Sequence, residues 1–86
     1  MLKSLSFAQR WETVSRAVSD MAKWAHDQSL VDCLKTMVKE LDSTAVVELA
    51  YQIWEEDGGN MVVDNSFKMI CLAVGKEGEY ERRKRV

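Results

Sequence analysis

Apolar residues recur at steps of four and three along residues 7–25, and this spacing places them on one face of an α-helix. They are Phe7, Trp11, Val14, Val18, Met21 and Ala25. The same spacing is typical of a coiled coil, which pairs with a second chain, and of a helix packed within its own domain. The first predicted helix starts after Ser4 or Ser6 and runs to about Asp27.

The residues beside this apolar face favour a core helix over a coiled coil. A two-stranded coiled coil normally carries charged residues at its e and g positions. Here those positions hold Ala8, Ser15, Ala22, Arg10, Ala17 and Trp24. Only Arg10 is charged, so the face is a broad apolar band, as in a helix that contacts two neighbours in a bundle.

Two shorter helices are predicted after the first, and polar capping residues mark their starts. The second begins at Ser29 and ends near Asp42. The third runs to about Asp57, and its candidate caps are Asp42, Ser43 and Thr44. Gly58 and Gly59 follow, and we expect them to end the helix by adopting left-handed backbone.

A fourth helix is predicted up to Gly75, capped by Asp64, Asn65 or Ser66, and a β-hairpin over residues 61–74 is the alternative. The chain contains no proline to interrupt a helix. Residues 76–86 are mostly charged, so we expect a disordered basic C-terminal tail there. The sequence therefore predicts an all-α, four-helix bundle-like domain over residues 1–75, with a long first helix and a flexible tail over residues 76–86.

Charge is distributed unevenly along the chain. Residues 1–81 contain 8 basic and 14 acidic residues, a net charge of −6, and the last five residues, RRKRV, add +4 to give −2 overall. Seven acidic residues and no lysine or arginine lie between Glu40 and Phe67. Such an acidic surface attracts a basic partner and speeds its encounter.

The third predicted helix is apolar on two faces. Its second face carries Val47, Tyr51 and Trp54, beside the acidic residues Glu48 and Glu55. A helix that is apolar nearly all round is either central in its domain or covered by a partner. We expect these five residues to contact a protein partner, and internal packing of the three apolar residues is the alternative.

The length of the first predicted helix suggests a homodimer. About 21 residues give a helix of about 31 Å, whereas the second and third predicted helices reach only about 20 Å. Either the fourth predicted helix or a second copy of the chain must cover the excess. We expect a second copy, with Trp11, Val14, Val18 and Trp24 as the dimer contacts.

No group of residues has the spacing of a catalytic, cofactor or metal site. The lone histidine, His26, lies at the end of the first predicted helix, where a cation is stabilised by the helix dipole. Cys33 and Cys71 are expected to be reduced and buried. Because no catalytic pattern is present, we expect that the protein is not an enzyme. The sequence contains no apolar stretch typical of a signal peptide or a membrane span, so we expect a cytoplasmic protein.

The function that fits these features is a small protein–protein interaction or regulatory module, either an adaptor or an inhibitor. The alternative is a nucleic-acid-associated regulator that uses Arg82, Arg83, Lys84 and Arg85. A helix-turn-helix is disfavoured, because the third predicted helix would bring glutamates toward phosphates. The basic tail could instead fold back on the acidic centre of its own chain or of a dimer mate.

Overall fold

The computed structural model describes residues 6–85, which form five helices joined by short loops. They are α1 (Phe7–Ala22), α2 (Gln28–Lys39), α3 (Ser43–Asp57), α4 (Met61–Ala73) and α5 (Glu77–Lys84). α1 packs against α2 and α4, and α3 also packs against α2 and α4, so the first four helices surround one core. α5 lies against α4. The predicted all-α, bundle-like fold is confirmed.

The core is built from helix positions spaced by three and four residues. Its largest fully buried side chains include Phe67, Met21, Leu34, Ile53 and Ile70. Burial of one such side chain stabilises the folded chain by about 1.5–3 kcal/mol relative to its exposure to water. Over residues 6–85, no helix has the length and apolar character needed to cross a membrane.

α1 ends at Ala22, earlier than the predicted end near Asp27. Ser6, one of its two predicted caps, forms a capping box with Gln9, and the other, Ser4, lies outside the described residues. Asp27 caps α2 instead, since its carboxylate accepts a hydrogen bond from the Leu30 backbone N–H. The Gln28 side-chain amide donates to the carbonyls of Ala22 and Ala25 at 3.3 and 3.0 Å. Gln28 therefore bonds carbonyls that follow the end of α1, and Asp27 bonds a free backbone N–H at the start of α2.

The shorter α1 reduces the predicted overhang. α1 has 16 residues, α2 has 12 and α3 has 15, which correspond to about 24, 18 and 23 Å. α1 is therefore about as long as α3 and exceeds α2 by about 6 Å instead of the predicted value of about 11 Å, because α1 ends at Ala22 and Asp27 caps a new helix. The homodimer stays a prediction, with a smaller overhang to support it.

α4 covers the segment for which a β-hairpin was the alternative, so that alternative is wrong. Asn60 caps the helix, accepting hydrogen bonds from the backbone N–H groups of Val62 and Val63 at 2.8 and 3.3 Å. The caps predicted from the sequence, Asp64, Asn65 and Ser66, lie inside α4.

The segment predicted as a flexible tail contains α5. This helix is held by Tyr80, whose side chain is buried and whose ring centroid lies 5.8 Å from that of Phe67. The charged composition of residues 76–86 gave no sign of the apolar contacts that this one side chain makes. Val86 lies outside the described residues.

Left-handed backbone occurs at Gly75, not at Gly58 and Gly59 as predicted. Gly58 has a φ of −66°, and over residues 6–85 Gly75 is the glycine with left-handed backbone, at a φ of 75°. Gly58 is required for space instead: a Cβ atom there would lie 2.8 Å from Cδ1 and Nε1 of Trp54. Left-handed backbone ends α4, where the N–H of Lys76 bonds the carbonyl of Cys71 at 2.8 Å.

We predict that Gly75→Ala lowers the free energy of unfolding by about 1 kcal/mol, because an L-residue with a Cβ atom is strained in left-handed backbone. A Cβ atom at Gly75 meets no neighbouring atom within 4 Å, so the loss comes from the backbone alone. Urea unfolding followed by circular dichroism measures the change.

Gly78→Ala is the matched control. Gly78 lies within α5 in open space and has no left-handed backbone. Alanine is the better helix former, so this variant should be as stable as the natural chain or more stable. An equal loss of stability in both variants would contradict the assigned role of Gly75.

Candidate functional site

The predicted docking residues lie on α3, and the structure divides them into buried and exposed groups. Val47 is buried in the core and is not available to a partner. Tyr51 and Trp54 are half-buried, while Glu48 and Glu55 are exposed. The accessible part of the predicted surface therefore consists of the exposed area of Tyr51 and Trp54 and the two carboxylates beside it.

Tyr51 and Trp54 belong to a cluster of four aromatic residues, completed by Phe67 and Tyr80. The rings of Tyr51 and Trp54 are stacked with centroids 5.9 Å apart, and the Trp54 centroid lies 5.5 Å from that of Phe67. Tyr80 meets the edge of Trp54 with centroids 6.4 Å apart. Trp54 therefore makes its main contacts inside the chain, and only part of its surface remains for a partner.

Asp64 connects the polar atoms of this cluster. Its Oδ1 accepts hydrogen bonds from Trp54 Nε1 and from the Tyr80 hydroxyl, both at 2.8 Å. Burial raises the pKa of Tyr80, and the hydrogen bond to Asp64 raises it further. From the sequence, Asp64 is a possible helix cap and one of seven acidic residues between Glu40 and Phe67, and Tyr80 is part of the tail. Their spacing of 16 residues carries no pattern that marks them as a pair.

Arg83 joins the basic C-terminal residues to the predicted docking residues of α3. Its guanidinium lies over the Tyr51 ring, 4.4 Å from the centroid. It also forms an ion pair with Glu48, and its Nε donates to Glu79 at 3.0 Å. A cation over an aromatic ring contributes about 0.5–2 kcal/mol, depending on its exposure to water. The basic segment thus folds back on the acidic face of its own chain, one of the arrangements considered from the sequence.

The other basic residues of the segment differ in their contacts. Arg82 pairs with Glu79, the Nζ atom of Lys84 lies 5.4 Å from the Tyr80 ring centroid, and Arg85 is exposed. Hydrogen bonds from Arg82 and Arg83 lower the pKa of Glu79. Two of the four residues proposed to contact nucleic acid are therefore already neutralised by carboxylates.

The four predicted dimer contacts do not form one surface. Val14 and Val18 are buried in the core of the single chain, so the prediction that they meet a second copy is wrong. Both side chains lie in the core that α1 forms with its neighbours α2 and α4. Trp11 is half-buried beside Phe7, and Trp24 is 53% exposed in the loop after α1.

His26 pairs with Asp57 at the end of α3. The Asp57 carboxylate accepts from the His26 backbone N–H at 3.0 Å, and its Oδ1 lies 2.5 Å from the ring Nδ1. The His26 side chain is 86% exposed, whereas that of Asp57 is 8% exposed. His26 therefore lies beyond α1, not at its end as expected, and the pair fastens the α1–α2 loop to α3.

This contact shifts the pKa of both residues. The hydrogen bond to Asp57 raises the pKa of His26 above 6.5. The hydrogen bond from the His26 backbone lowers the pKa of Asp57 below 3.8, and the bond from the ring lowers it further. Both residues are therefore charged over a wider pH range in the folded chain, which extends below 3.8 and above 6.5.

The two cysteines are both free thiols. Cys71 is buried, as expected, and burial raises the pKa of its thiol to about 11. Cys33 is exposed on α2, so its expected burial is wrong. Over residues 6–85, no group of three or more histidine, cysteine, aspartate or glutamate side chains could hold a metal ion.

We predict that the His26 pair makes stability depend on pH near neutrality. Because the folded-state pKa of His26 is raised, its contribution is complete below pH 6.5 and is lost as the pH rises through the folded-state value. The urea midpoint should therefore fall with rising pH in this range. NMR titration of the single histidine measures its pKa directly.

Asp57→Asn should return the pKa of His26 toward 6.5, since the main cause of the shift is removed. Glu56→Gln is the matched control, because Glu56 acts on His26 only through weak long-range attraction. An unchanged titration curve in Asp57→Asn would show that the pair does not form in solution.

Comparisons of the chain with protein-family models, with curated proteins and with solved structures found no match.

Proposed function

We propose that the protein is a small protein–protein interaction or regulatory module, an adaptor or inhibitor, that docks the acidic, aromatic face of α3 on a partner. This docking face consists of Tyr51, Trp54, Glu48 and Glu55. A cytoplasmic location is part of the same proposal. The observation that carries it is the contact of Arg83 with Tyr51 and Glu48, because the face already binds a basic side chain within the chain.

The composition of the docking face supports this role. Tyrosine and tryptophan are enriched among residues that dominate binding energy, since each offers a large rigid apolar area with one polar group. The carboxylates beside them favour a basic partner. Tyr51 and Trp54 also have fixed neighbours in the aromatic cluster, so little side-chain freedom is lost when a partner binds.

The charge around the docking face supports association with a basic protein. Glu55 and Glu56 are exposed at the end of α3, and α3 carries no lysine or arginine. Charge of one sign on an accessible surface speeds the encounter with an oppositely charged partner, and salt weakens the effect. Binding should therefore become weaker as ionic strength rises.

We prefer this function to the nucleic-acid alternative because of the ion pairs of the basic segment. Affinity for nucleic acid comes mainly from cations that neutralise phosphates. Arg82 and Arg83 are paired with Glu79 and Glu48, and the nearby α3 face is acidic. Contact with phosphates would first require these pairs to separate.

We predict that Glu55→Lys reduces capture of partner protein at least tenfold when the immobilised chain is exposed to an extract of its host. The substitution reverses the charge at an exposed position of the docking face, so the fold should be unaffected. Quantitative mass spectrometry of the captured proteins measures the change.

Glu12→Lys is the matched control, since Glu12 is an exposed glutamate on α1, away from the docking face. This variant should capture the same protein as the natural chain. The proposed docking face is wrong if Glu55→Lys and Glu12→Lys capture equal amounts of the partner. It is also wrong if moderate salt releases no captured protein from the natural chain.

A further inference from the structure

We infer that the docking face receives a helical segment that carries an aromatic residue and, three positions later, an arginine. The inference rests on the proposed function and adds the chemistry of the partner. α5 already presents this pattern to the face, through Tyr80 and Arg83. Tyr80 is 4% exposed and the Arg83 side chain is 14% exposed, which makes them the anchors of α5.

The contact for arginine favours a guanidinium. A planar guanidinium can stack on the Tyr51 ring while its N–H groups point at a carboxylate, whereas an ammonium group has no plane that stacks on the ring. Arg83 makes these two contacts with Tyr51 and Glu48. We therefore expect lysine at this position of a partner to bind more weakly than arginine.

The contact for the aromatic residue is formed by α3 and α4. Phe67 and Trp54 supply apolar surface at centroid distances of 5.8 and 6.4 Å from the Tyr80 ring. Asp64 accepts a hydrogen bond from its hydroxyl. A tyrosine satisfies all three groups, so the partner's preferred aromatic residue is tyrosine.

α5 is the helix of this chain most easily displaced from the face. It has 8 residues, whereas isolated helices shorter than about 12–15 residues are marginally stable in water. Most of its other side chains are exposed, so few contacts besides the two anchors hold it. Elements with few buried contacts open at the lowest free energy. A partner helix with the same two anchors can therefore replace α5.

A synthetic peptide with the sequence of residues 76–86, KEGEYERRKRV, is the probe for this inference. It is added to the full-length, ¹⁵N-labelled protein, and the indole N–H signal of Trp54 reports binding because that group donates to Asp64 beside the anchor. The peptide should bind Arg83→Ala about tenfold more tightly than the natural chain, since loss of an internal anchor raises the population of the open face.

Two controls make the result specific. Arg85→Ala removes an exposed basic residue of the same segment and should leave the affinity at that of the natural chain. A second peptide with alanine in place of both Tyr80 and Arg83 should bind at least tenfold more weakly than the first.

Hydrogen exchange of the unaltered protein should also be faster in α5 than in α4.

Several results would overturn the inference. These are equal peptide affinity for Arg83→Ala and Arg85→Ala, equal affinity of the two peptides, or exchange in α5 as slow as in α4. A mass of twice 9.9 kDa by light scattering that Arg83→Ala reduces to a monomer would also overturn it, because a second copy would then supply the helix. If the peptide fails while Glu55→Lys still abolishes capture, the proposed function stands and only this partner assignment is wrong.

Discussion

The carboxylate of Asp64 joins three helices, since it lies on α4 and accepts hydrogen bonds from Trp54 of α3 and Tyr80 of α5. Without such an acceptor the indole N–H and the hydroxyl would be partly buried and unsatisfied, at a cost of about 1–3 kcal/mol each. The bonds fix the orientation of both rings around Phe67. The shape of the docking face therefore depends on one acidic residue outside it.

α5 depends on this arrangement more than any other helix does. Its sequence is highly charged, and one buried ring with one shielded guanidinium supplies its main contacts outside the helix. The same two residues cover the aromatic and acidic surface of α3. The contacts that stabilise α5 therefore also cover the docking face, and the face becomes accessible when those contacts are lost.

The accuracy of the sequence-based predictions varied with the range of the interactions involved. The apolar spacing predicted that this face of α1 belongs to the core, but Val14 and Val18 on the same face were assigned to a dimer contact, whereas they are buried within the single chain. The spacing gave the wrong helix end, because Asp27 and Gln28 could act either as helix residues or as caps. The apolar second face of α3 identified Tyr51 and Trp54 as candidate contact residues. It could not identify Asp64 and Tyr80 as members of the same cluster, since their role comes from contacts between distant segments.

By itself, the sequence determined the all-α class, the acidic character of α3 and the basic character of the C-terminal segment. These follow from local periodicity and from charge, which require no knowledge of distant contacts. Only the tertiary structure decided that the two charged segments meet, through Glu48 and Arg83, which lie 35 residues apart. That contact depends on how α3, α4 and α5 pack around Phe67, and packing of this kind leaves no periodic pattern in the sequence.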